Sequence, residues 1–86
     1  MAALTVDFPR ESEVLASRAI NAFGHAAAGA SVRVTRPDGT ATEATARDDG
    51  LWIVRVELVA GVNELRFEVV GSPLAVVTVA VYHQPR

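Results

Sequence analysis

Between Gly50 and Val69 the chain twice alternates apolar and polar residues with a period of two, with a break at Ala60-Gly61. Trp52, Val54, Val56 and Leu58 share one parity, and Arg55 and Glu57 take the other; beyond the break, Leu65, Phe67 and Val69 lie opposite Glu64, Arg66 and Glu68. Successive side chains of a strand point to opposite faces, so this spacing predicts two half-buried antiparallel strands joined by a corner. The same alternation appears in SVRVTR, where Val32 and Val34 oppose Arg33 and Thr35, and in Ile20, Ala22 and Gly24. Leu4 and Val6 share a parity in a short strand from Ala3 to Phe8, which Pro9 ends because it has no N–H to donate. Thr40 to Arg47 reads as a weak strand of threonine and alanine. Leu74 to Tyr82 reads as a last strand made almost wholly of valine and alanine.

Turn chemistry separates these runs. In Pro37-Asp38-Gly39, proline presets φ, aspartate bonds nearby backbone and glycine takes a positive φ. Asp48-Asp49-Gly50 precedes an alternating run, a strong hairpin cue, and Gly71-Ser72-Pro73 marks another turn. A helix from Glu11 to Ala30 capped by Ser12 is the rival for that stretch; Gly24 and Gly29 weaken it, and Ile20 and Phe23 make too thin a stripe. About seven strands with turn signals roughly every 8–12 residues predict an all-β, immunoglobulin-like sandwich of two antiparallel sheets, a single domain over residues 1–86.

Parity assigns the core to Leu4, Val6, Ile20, Ala22, Val32, Val34, Trp52, Val54, Val56, Leu58, Leu65, Phe67, Val69, Val77, Val79 and Val81. The last strand carries no charge, so it is expected to be covered on an edge, with Val6 to Leu15 pairing alongside it. In such a sandwich the strand holding Ile20 to His25 lies beside the one holding Leu51 to Leu58. Phe23 and Ile53 must then point outward together, with His25 and Arg55 beside them. These four residues, Phe23, His25, Ile53 and Arg55, are the candidate protein interface.

Composition narrows the chemistry. The chain has 86 residues, no cysteine and a formal net charge of -2. Disulfides, thiolate zinc sites and a cysteine nucleophile are excluded, and stability must come from apolar burial. All positive charges are scattered arginines, which leaves no electrostatic footprint for nucleic acid. No apolar run approaches the roughly 18 residues of a membrane-spanning helix, so a soluble chain without membrane insertion is expected. The start, MAALTVDFPRE, lacks the basic segment and the apolar run of about 7–15 residues that a secretory signal has. The expectation is a protein that stays where it is made, or a mature or excised piece, with its localisation open.

The segments LTVDFPRESEVL, INAFGHAAAGASVRV, DDGLWIVRVEL and AGVNELRFEV, with their steps Gly50 to Trp52 and Gly61 to Asn63, resemble bacterial immunoglobulin-like domains of the Big type. The resemblance runs from Leu4 to His83. Such domains occur in tandem in surface and secreted proteins and beside glycoside hydrolases. The resemblance implies spacing, adhesion or carbohydrate-associated support rather than catalysis, either in an excised module or in a free-standing small protein.

The candidates for chemistry are few. His25 and His83 have no second ligand at metal spacing and are expected at the surface near strand ends. Asp38, Asp48 and Asp49 lack a D-x-D-x-D calcium spacing and read as solvated turns. Ser12, Ser17, Ser31 and Ser72 lack a nucleophile-elbow setting. Trp52 is assigned to the core, and Asn63 to bonding backbone in the corner. With Trp52 and Phe67 inward, only Phe8, Phe23 and Tyr82 remain as aromatic platforms for a sugar. No catalytic residue and no cofactor is assigned. The expected function is a non-enzymatic structural or binding module that positions another macromolecule, such as a phage capsid decoration or surface assembly protein; the alternative is a carbohydrate-associated accessory module from a larger exported protein.

Overall fold

The computed structural model describes residues 4–84, and every element in it is a strand. In chain order these are β1 (Thr5–Phe8), β2 (Val14–Leu15), β3 (Ala19–His25), β4 (Ser31–Thr35), β5 (Ala41–Thr45), β6 (Leu51–Glu57), β7 (Gly61–Val69) and β8 (Ser72–His83). They form a three-stranded sheet, β1-β3-β6, packed on a five-stranded sheet, β2-β8-β7-β4-β5. This is the expected sandwich, with no helix over residues 11–30. The expected strand start at Ala3 lies outside the described residues.

There are eight strands rather than seven because the amino-terminal segment divides between the sheets. Residues Thr5 to Phe8 pair antiparallel with β3, whereas Val14 and Leu15 pair in parallel with Tyr82 and His83 of β8. Between them Pro9 is fully buried, and Ser12, at a φ of 65°, donates its N–H to Ala80 O at 2.7 Å. The expected pairing of Val6 to Leu15 with the last strand therefore holds only from Ser12 onward. Val6 belongs to the opposite sheet.

β6 and β7 carry the corner that the alternation predicts, and they lie in different sheets. Their inward residues meet across the layers: the Trp52 and Phe67 rings lie 5.5 Å apart and tilted by 38°, both fully buried. Around them pack Ile20, Ala22, Val32, Val34, Val54, Val56, Leu58, Leu65, Val79 and Val81, with Val69 also buried. Leu4, Val6 and Val77, expected inside, are only partly buried against this core, the first two because they sit on or beside an edge strand. Ala46 and Ala75 are buried without having been expected.

Gly24 shows why a residue without a Cβ is needed in β3. A methyl group there would run into Thr5 O of β1 and come within 2.8 Å of Trp52 Cζ2. Close approach of β1 and close packing of the indole both depend on that missing atom. The corner is held by Asn63, which is almost fully buried: its Oδ1 accepts from Val59 N at 3.0 Å, and its Nδ2 donates to Val59 O at 2.9 Å and Gly61 O at 3.0 Å.

Candidate functional site

The ladder between β3 and β6 sets Phe23 directly opposite Ile53, with Asn21 opposite Arg55 and His25 opposite Leu51. Since Ala22, Gly24, Trp52 and Val54 point into the core, Phe23 and Ile53 must face outward. They are 39% and 51% exposed. Phe8 extends this apolar surface toward the sheet edge, its ring stacked on Phe23 at a centroid distance of 5.9 Å and 21° between planes. Stacked rings on an open sheet face present a rigid apolar surface whose burial by a partner costs little conformational entropy.

Polar groups border the patch. His25 Nδ1 and Asp7 Oδ2 are 3.0 Å apart, and the His25 backbone N–H donates to Thr5 Oγ1 at 3.2 Å. Arg55 and Glu57 are exposed on the next rows of β6. The four sequence-predicted residues Phe23, His25, Ile53 and Arg55 thus lie on one face of one sheet. Asp7 and Phe8 join them and were missed in this role, because nothing in the sequence marks the register irregularity between Val6 and Phe8 that places the Phe8 ring over Phe23.

The remaining polar candidates are committed elsewhere. Asp38 Oδ1 accepts from the Thr40 hydroxyl at 2.7 Å and the Thr40 N–H at 3.0 Å; chiefly through that hydroxyl its carboxyl is held below the ordinary range. Asp49 is held low first by the N–H of Leu51, which donates to its Oδ1 at 3.0 Å. Both carboxylates organise their own turns, as the sequence suggested. Among the described residues no three histidine or carboxylate side chains converge.

His83 corrects the sequence reading. Instead of lying at the surface it is buried, with Nδ1 donating to Leu15 O at 3.0 Å, and so it fastens β2 to β8. Its parity with Val79 and Val81 was the signal that pointed inward.

The five-stranded sheet carries an apolar row that the sequence reading did not find. Val14, Tyr82 and Val62 are register neighbours across β2, β8 and β7, and are 61%, 45% and 64% exposed. Val62 also lines an open groove of about 590 Å³ together with Arg36, Pro37, Glu64, Arg66 and Thr78. Among the described residues no helix is long and apolar enough to cross a membrane.

No protein-family model matches the chain, and no curated protein matches it in sequence. Among solved structures, CopC from Methylosinus trichosporium OB3b is similar, with a TM-score of 0.64 at 17% identity over 100% of this chain and 96% of that one. At that identity the likeness is one of architecture, and what the two chains share is an all-β, immunoglobulin-like sandwich fold.

Proposed function

We propose that this chain is a non-catalytic binding module of one immunoglobulin-like domain, which holds another protein against the outer face of its three-stranded sheet. The observation that carries this reading is the exposed Phe23–Ile53 pair with Phe8 stacked on it, bordered by Asp7, His25 and Arg55. A contiguous apolar patch with a polar rim has the anatomy of an interface. A free-standing structural subunit, such as a virion decoration or surface assembly protein, is the most concrete form of this function.

Replacing Phe23 and Ile53 together with serine tests it. The reading expects a partner captured by the parent protein to be lost by the variant, with stability little changed. Equal capture by both proteins contradicts it, and so does detectable turnover that depends on one polar side chain.

A second reading, a carbohydrate-associated accessory module, is favoured by the Tyr82 ring, which lies open on the other sheet in a hollow it shares with Ser12, Val62 and Ala80. A glycan panel titrated to millimolar concentration against the parent and Tyr82→Ala separates the two.

A further inference from the structure

On the outer face of the five-stranded sheet, β8 presents Tyr82, Ala80 and Thr78 in turn, and β7 sets Val62, Glu64 and Arg66 opposite them. The Tyr82 ring is thus followed along β8 by two short side chains. That stretch of β8 lies low, with the longer Glu64 and Arg66 side chains along one flank and Thr35 of β4 beyond Arg66. Val62 belongs both to the hollow around Tyr82 and Ala80 and to the groove that Glu64, Arg66 and Thr78 line, so the two are continuous. Tyr82 and Thr78 are four positions apart on one strand, a span of about 13 Å. Glu64 and Arg66 are exposed, and neither makes an ion pair among the described residues. By contrast, Arg33 is tied to Glu43, and Arg36 to Thr40 and Glu57 O.

We infer, on the carbohydrate-associated reading of this face, that the strip over β8 binds a neutral glycan chain laid along the strand. Tyr82 stacks on the apolar face of one sugar ring. Farther along, the Glu64 carboxylate accepts from sugar hydroxyls and the Arg66 guanidinium donates to them, and a free acceptor next to a free donor suits neighbouring hydroxyls. Thr78 and Thr35 add hydroxyl groups on either side of Arg66. The ligand is neutral because Glu64 offsets Arg66 and Glu68 follows on the same face, so a carboxylate on the ligand gains nothing there. It is a chain because Tyr82 and Arg66 lie too far apart for one sugar ring to reach both. A protein strand fits this strip less well. The ladder directs the backbone groups of β7 and β8 sideways within the sheet, none toward the face, and the apolar row ends at Tyr82 and Val62.

An NMR chemical-shift titration of the isotope-labelled protein tests the site. The probes are oligosaccharides of glucose, xylose, mannose and galactose, graded from the single sugar upward, with uronic acid oligomers as the charged control. The expected result is a set of shifts confined to β7 and β8 around Tyr82, Glu64, Arg66 and Thr78, with an affinity that rises as a neutral chain lengthens. Tyr82→Ala should abolish the binding, and Glu64→Ala and Arg66→Ala should each weaken it roughly 2–10-fold. The absence of shifts with every neutral sugar overturns the inference, as do a preference for the uronic acid oligomers and shifts centred on Phe23 and Ile53. Binding lost in Tyr82→Ala but unchanged in both Glu64→Ala and Arg66→Ala leaves the carbohydrate reading standing and overturns this site alone.

Discussion

Asn63 is the side chain on which the change of sheet between β6 and β7 turns, and replacing it with alanine should be costly. The substitution removes three hydrogen bonds, one accepted from Val59 N and two donated to Val59 O and Gly61 O. Each contributes roughly 0.5–1.5 kcal/mol net, and a group left buried without a partner costs more. Val59 is itself exposed, so water re-satisfies part of what is lost. The expected cost is about 2–3 kcal/mol. Against a total stability of roughly 4–13 kcal/mol for a chain this long, that is a large fraction. It should lower the melting temperature by roughly 10–20 °C. Urea denaturation of the parent and Asn63→Ala, with m-values checked for constancy, measures it directly. A loss under about 0.5 kcal/mol, the usual size of a surface substitution, would refute the assignment.

Asn63→Asp sharpens the test, because shape is kept while an oxygen replaces the Nδ2 that faces two carbonyls. Burial and those carbonyls favour the neutral acid, so the folded-state pKa lies above the unfolded value of about 3.9. Stability from the protonated form is then fully present below that unfolded value and is lost as pH rises through the folded one. The variant should approach the parent in acid and fall away from it toward neutrality. A pH-independent difference would mean that the corner is held by something else.

Other expectations follow from the same structure. Trp52→Ala should cost about 3–5 kcal/mol by calorimetry, since it empties the centre of the core between the sheets. Gly24→Ala adds a methyl group where Thr5 O and Trp52 already sit, and should destabilise by about 1–3 kcal/mol while weakening amide protection in β1. Asp38 and Asp49, with folded pKa values below their unfolded ones, favour the folded state above the unfolded values and lose that contribution as pH falls through the lowered ones. An NMR titration should find both carboxyls low, and Thr40→Ala should move Asp38 part of the way back, because the Thr40 N–H remains.

The parts of the fold legible in the sequence are those where one face is buried and the other is wet. β3, β4, β6 and β7 show this alternation, and their inward residues lie where parity puts them. Trp52, Phe67 and the Asn63 corner follow from it. The amino-terminal segment was legible only in part: its first strand and the pairing of its second half with the last strand were expected, but β2 has only two residues and the division of the chain between sheets at Pro9 leaves no periodic trace. β8 is apolar on both parities, so the pattern alone did not decide that Val77 is half-buried and Ala75 buried. The Phe23–Ile53 pair was legible as soon as the adjacency of β3 and β6 was assumed. The Val14–Tyr82–Val62 row was not: pairing of the first segment with the last strand was expected, but nothing in the sequence gives the register that sets Val14 and Val62 on either side of Tyr82.

The claim that a protein docks on the outer face of the three-stranded sheet is tested most directly by a hydrogen-exchange footprint of the chain bound to its captured partner. The proposal predicts new protection confined to β3 and β6, centred on Phe23 and Ile53, and reaching β1 at Asp7 and Phe8. Protection confined instead to β7 and β8 around Val62 and Tyr82 would contradict it.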